Sequence, residues 1–249
     1  MVGQQPLELF ILVRIQASQR KHQSNLNLGI PAQPPSSLPK PVKNYMRKII
    51  TTTFVTLDGV MQAPGGPTED TSSGFKYGGW QMAWDEKDNA AEEIMNNLMA
   101  EHGDLLLGKL TYDIWVGFWP KHKDEDVWGK AFDKAEKFVV SHNSFDASWD
   151  KSTVITGDVA KELKMLKETD GPDLWVWGSG NLIQTLLKNN LIDRMHVWIY
   201  PITLGAGKKL FAEGTQPERF KVVNSKVTDT GVLFATYEPS TSVKINTRK

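Results

Sequence analysis

The ten residues Asp173-Leu174-Trp175-Val176-Trp177-Gly178-Ser179-Gly180-Asn181-Leu182 constrain the chain most, because an apolar strand runs into a two-glycine turn and then a helix. Glycine lets backbone approach a ligand closely, and the first amides of a helix lack intrahelical acceptors and carry partial positive charge. Such a junction suits phosphate, although it is also an ordinary connection between strand and helix. It lacks the dinucleotide fingerprint, since Ile183 stands at the third glycine position and Val197-Trp198-Ile199 lies where a ribose-binding acid belongs. The Walker pattern also fails, because no Lys-Ser/Thr pair follows the last glycine.

The rest of the chain reads as alternating strand and helix. Ile49 to Val55 is β-branched and strand-like, ending at Leu57-Asp58-Gly59. Ala91, Ile94, Met95, Leu98 and Met99 recur at helical spacing over residues 86 to 101. Short strands are expected at Leu105 to Leu107, Lys137 to Ser141, Thr153 to Ile155, Leu174 to Trp177 and Met195 to Tyr200, with helices opening near Asp126, Asp158 and Ser179. Continuous apolar strands between helices imply a mainly parallel sheet covered on both faces. Arg219 to Thr228 and Val232 to Glu238 flank the turn signal Asp229-Thr230-Gly231, so an antiparallel hairpin closes one edge. The fold class is therefore α/β, a three-layer α/β/α arrangement with a mostly parallel mixed sheet. Residues 46–239 form one domain. Residues 1–45, rich in Pro, Gln and Ser with Glu8 as the single acid, read as a flexible extension ahead of a natural start at Met46, and residues 240–249 as a disordered tail.

Composition excludes several function classes. The 29 basic and 29 acidic side chains balance, leaving no field to hold a nucleic-acid backbone. Cysteine is absent and the five histidines fall in no ligand spacing, so a protein-made metal site is not expected. The apolar patch Leu7 to Ile15 is too short to span a bilayer. A cytoplasmic protein is the expectation, with a small molecule as its ligand and neither nucleic acid nor membrane as a partner.

A second strand-glycine-helix junction, Leu107-Gly108-Lys109-Leu110-Thr111, adds a cation and a hydroxyl in the first helical turn. Two such cradles at parallel strand ends suit a pyrophosphate; the competing account is a helix cap and a solvated lysine. Ser141-His142-Asn143 ends another strand at the same rim, as an adenosine-ribose site or a plain polar turn. Asp58 opens a long loop bearing Gln62, and either orients a polar ring or satisfies an Asp-Gly turn. Trp115, Phe118 and Trp119 wall a flat substrate or belong to the core.

The ordered set Phe54 to Gly59, Leu106 to Tyr112, Val139 to Ser141, Val176 to Leu182 and Pro201-Ile202-Thr203-Leu204-Gly205-Ala206-Gly207-Lys208-Lys209-Leu210-Phe211 resembles one family. It is similar to the dihydrofolate-reductase-like reductase domain at the C-terminus of bifunctional riboflavin-biosynthesis deaminase-reductases, and to stand-alone members of that group. The resemblance implies a usually dimeric reductase with NADPH across the strand ends. It assigns Gly108, Lys109, Thr111, Gly178, Ser179, Gly180, Asn181 and Leu182 to cofactor phosphates, and Ser141 and His142 to the adenosine end. Asp58 becomes the catalytic acid beside the nicotinamide and substrate pocket, and Gly205 falls in a loop toward the substrate; Gln62 and Trp119 are expected substrate contacts from their own places in the chain. Lys109 stands where arginine is common and His142 where a firm charge is common, so NADH is a possible substitute for NADPH. The implied reaction resembles reduction of the ribosylamino-uracil intermediate of riboflavin synthesis; a dihydrofolate or pterin reductase and a non-catalytic nucleotide-binding protein are the alternatives. A zinc deaminase is excluded by the missing cysteines.

Overall fold

The computed structural model describes residues 46–84, 87–125 and 127–240. The expected extension over residues 1–45, and all of the expected tail except Ser240, lie outside the described residues. Eight strands form one sheet: β1 (Ile49–Thr56), β2 (Asp104–Gly108), β3 (Lys137–Val140), β4 (Ser152–Ile155), β5 (Leu174–Trp177), β6 (Arg194–Tyr200), β7 (Phe220–Val227) and β8 (Leu233–Pro239). Their order is β4-β3-β2-β5-β1-β6-β8-β7. The first six strands run parallel, β8 is antiparallel to β6, and β7 pairs antiparallel with β8. The helices are α1 (Asn89–Ala100), α2 (Lys109–Val116), α3 (Val127–Lys134), α4 (Val159–Lys167) and α5 (Gly180–Lys188).

Side-chain alternation along the strands builds the three layers. Ile49, Val55, Leu106, Leu174, Val176, Met195 and Val197 point to one face, where Leu163 of α4 and Ile183 and Leu186 of α5 cover them. Ile50, Leu105, Leu107, Val139, Trp175, Trp177, Trp198 and Phe234 point to the other, under Ile94, Met95 and Leu98 of α1 and Phe132 of α3. Both faces of the central strands are thus sealed, which is why those strands read as unbroken apolar runs.

Where backbones approach closely, only glycine fits. A Cβ on Gly103, just before β2, would sit 2.2 Å from the Asp173 carbonyl oxygen. At the edge the sheet thins out: Val222 and Val227 of β7 are 57% and 63% exposed, with a bulge between Val222 and Asn224.

Candidate active site

The carboxyl ends of β3, β2, β5 and β1 are neighbours in the sheet, and a cavity of about 910 Å³ opens over them. Gly108, Lys109, Thr111, Ser141, His142, Gly178, Ser179, Gly180, Asn181 and Leu182 all line it. The two glycine junctions are stitched to each other. The Ser179 hydroxyl oxygen accepts from the Gly108 N–H at 2.9 Å and lies 3.1 Å from the Thr111 hydroxyl, which also accepts from the Ser179 N–H at 3.1 Å. Ser179 holds this position with a left-handed backbone, φ 53°, following Gly178 at φ 56°. For serine that conformation is strained and persists because hydrogen bonds with Gly108, Thr111 and the Trp177 carbonyl fix it.

Helix capping sets the two helices that follow the glycine turns apart from α1 and α4. Asp88 caps α1 by accepting from the Ala91 N–H, and Asp158 caps α4 by accepting from the Lys161 N–H. Neither α2, with Gly108 at its N-cap, nor α5, with Ser179 there, has a side-chain cap. Both present first-turn amides to the cavity, where their partial positive charge favours an anion. Gly178 suits its left-handed backbone, φ 56°, and a Cβ at Gly180 would come 3.3 Å from the Met61 sulfur, so these turns leave backbone as the cradle's surface. The donor set fits a phosphate-bearing nucleotide.

Lys109 is held by Asp113, one turn on, at 2.6 Å, and its ammonium lies 4.4 Å from the Phe145 ring centroid. That pair is largely solvent-exposed, and such pairs contribute about 0–1 kcal/mol, so the ammonium can swing to a phosphate at small cost. Ser141 and His142 sit at the β3 tip, on the far side of β2 from the Gly178 turn.

The long loop after β1 is a fixed wall. Gln62 is buried; its amide nitrogen donates to the Asp70 and Ser72 carbonyls, both at 3.1 Å, and its oxygen accepts from the Lys208 N–H at 3.0 Å. The Trp80 indole donates to the Gln62 carbonyl at 2.9 Å, and Gln81 donates to the Tyr200 hydroxyl at 2.6 Å. Gln62 therefore lines the cavity with its amide group already engaged by the loop and by Lys208. Trp119 also lines the cavity, but it is buried, packed edge-on against Phe132 at 4.7 Å, so it is wall and core together.

Asp58 and Gly205 stand outside the cavity's lining. The Asp58 carboxylate accepts from the Thr56 hydroxyl at 2.5 Å and from the Leu204 and Gly205 N–H groups at 3.2 and 2.7 Å. The Thr56 hydroxyl holds this carboxyl below its usual range despite some opposing burial, and the two amides add to that. A carboxylate so occupied ties the loop after β6 to the end of β1 and is a poor proton donor.

Glu69, Gln81 and Trp128 are among the lining groups that no sequence signal marks. Glu69 sits in a Pro/Gly-rich loop without periodicity, and α1 contributes Asp88, Ala91 and Met95 to the lining, which its helical pattern does not disclose. Glu69 accepts from the Gly65 and Gly66 N–H groups at 2.7 and 3.2 Å, both through Oε2. Burial raises its carboxyl above the ordinary value against the pull of those amides. The next residue, Asp70, is also pushed up by burial, but hydrogen bonds from Lys208 and Ser72 bring it below the ordinary value. Among the described residues no group of three or more His, Asp or Glu is placed to hold a metal, and no helix is long and apolar enough to cross a membrane.

Comparison with known proteins agrees with this architecture. Residues 47–234 match the family model of the RibD C-terminal domain. The uncharacterised Bacillus subtilis protein YyaP is 27% identical over 195 residues, covering 77% of this chain and 94% of YyaP. A provisionally assigned riboflavin biosynthesis protein from Shewanella sp. PV-4 superposes with a TM-score of 0.55 at 22% identity, over 78% of this chain and 99% of that one. Dihydrofolate reductase from Enterococcus faecalis, in complex with NADP(H) and RAB-propyl, gives 0.51 at 13% identity, over 78% and 98%. The Thermotoga maritima diaminohydroxyphosphoribosylaminopyrimidine deaminase/5-amino-6-(5-phosphoribosylamino)uracil reductase gives 0.50 at 16%, over 78% of this chain and 57% of that one. These likenesses establish the dihydrofolate-reductase-like fold. The chain belongs to the RibD C-terminal domain family, whose members are reductase-like.

Proposed function

We propose that this member of the RibD C-terminal domain family is an oxidoreductase that takes NADPH and delivers hydride to a small heterocyclic acceptor. The observation that carries the reading is the pair of uncapped helix N-termini, on the adjacent parallel strands β2 and β5, stitched by Ser179 and Thr111 and facing one cavity. Gly108, Lys109, Thr111 and the Gly178–Leu182 turn would hold the pyrophosphate; Ser141 and His142 would meet the adenosine end. A reduced nicotinamide supplies hydride when bound. The chain's own share is to orient the dinucleotide by backbone amides, to exclude water with the fixed loop wall, and to hold the acceptor over β1. The presence of NADP(H) in the E. faecalis reductase supports this choice of cofactor.

The reading extends to a homodimer in the cytoplasm. The edge strand β7, with Val222, Val223 and Val227 exposed at 57%, 44% and 63%, offers a second copy an apolar surface. The test is loss of reduced-nicotinamide absorbance when the protein is mixed with NADPH and candidate acceptors, the aminouracil and dihydropterin classes first. Turnover with either supports the enzyme. Saturable NADPH binding without turnover on any acceptor would support a nucleotide-binding protein instead.

A further inference from the structure

We propose that the acceptor end of the cavity is built for a flat ring that carries no phosphate. This deepens the reductase reading and rests on it. Sheet order separates the two ends: the amide-rich tips belong to β3, β2 and β5, while the next strand, β1, leads into the loop that forms the other end together with α1.

The charge of that second end is wrong for a phosphate. Glu69, Asp70, Asp88 and Glu92 line it, against Lys87 and Lys208. Lys208 is bound to Asp70 at 2.7 Å. Among the described residues, no arginine lines the cavity at all, so the planar fork that best grips a phosphate is missing. A phosphate dianion here would meet like charge in a partly desolvated space.

Its surfaces suit a ring. Phe54 of β1 and Met95 of α1 line the cavity there, and where it borders β5 the Trp177 ring follows, with Trp128 edge-on to it at 5.5 Å between centroids. Both hydrogen bonds to Glu69 use Oε2, leaving Oε1 to meet an N–H or ring nitrogen on the acceptor's edge. The acceptor class is therefore a neutral or cationic planar heterocycle, in contrast to the phosphoribosyl compound named for the T. maritima enzyme.

Calorimetry with matched pairs tests the assignment: 5-amino-6-ribitylaminouracil and its 5′-phosphate, and 6-hydroxymethylpterin and its phosphate, each titrated into free protein and into protein with NADP⁺. The unphosphorylated member of at least one pair should bind tenfold or more tightly than its phosphate, and Glu92→Lys should narrow that ratio severalfold. Equal or tighter binding of the phosphates overturns the inference, as does failure of all four ligands to associate at millimolar concentration. NADP⁺ binding is read in the same instrument; its absence alongside a clear preference within a pair would defeat the reductase reading and leave the acceptor-end assignment standing.

Discussion

Acid should unfold this protein partly through His196, and the size of the effect follows from its surroundings. The ring is 4% exposed on β6 and stacks between Trp175 and Phe234, each 5.7 Å away. Its Nδ1 lies 2.9 Å from the Thr236 hydroxyl, and its buried Nε2 has no partner among the described residues. Burial, helped by the charge of Arg194, pushes its pKa down to about 4 from 6.5. Between those values the unfolded chain binds a proton that the native one refuses, so stability falls as pH falls through that window. At about pH 5 the unfolded ring is mostly charged and the native ring mostly neutral, a difference of about 2 kcal/mol, whereas near pH 8 it vanishes. In His196→Leu the volume is nearly kept and the Thr236 hydroxyl loses its partner, at a cost of about 1–3 kcal/mol that does not depend on pH. Urea unfolding at the two pH values isolates the titration. The wild type should lose about 2 kcal/mol more than the variant between them, a midpoint difference of roughly 1 M. Identical pH dependence in the two proteins would refute the reasoning.

Two further substitutions test the roles of Asp58 and Ser179. Asp58→Asn replaces a carboxylate that accepts three hydrogen bonds, and should lower stability by about 1–3 kcal/mol in thermal melts while leaving NADPH affinity unchanged; an unaltered melt would remove its tethering role. Ser179→Ala leaves the Gly108 N–H without its acceptor and unties the two cradles, so NADPH affinity should drop several-fold at modest cost in stability; an unchanged dissociation constant would show that the stitch does not shape the cradle.

Much of this architecture is legible in the sequence because its physics is local. An apolar run ended by glycine announces a buried strand and a tight turn, and Leu105-Leu106-Leu107-Gly108 and Leu174-Trp175-Val176-Trp177-Gly178 both behave so. Asp229-Thr230-Gly231 likewise marks the hairpin that joins β7 to β8. Asp58 was readable in two ways because an Asp-Gly pair looks the same whether its carboxylate faces a ligand or a distant backbone amide; here the amides belong to Leu204 and Gly205, 146 and 147 residues on. Glu69 was invisible because its environment is made by a folded loop. The partner of Gln81, Tyr200, and the stack around His196 are likewise set by sheet order, which joins residues far apart in the chain.

Tryptophan fluorescence under NADPH titration tests the central claim most directly, because Trp115, Trp128 and Trp177 line the cavity. The account predicts saturable quenching that Gly180→Asp weakens at least tenfold. That change sets a carboxylate in the first turn of α5, where acids stabilise a helix but repel a phosphate. No association at millimolar NADPH, or equal binding by Gly180→Asp and wild type, would contradict it.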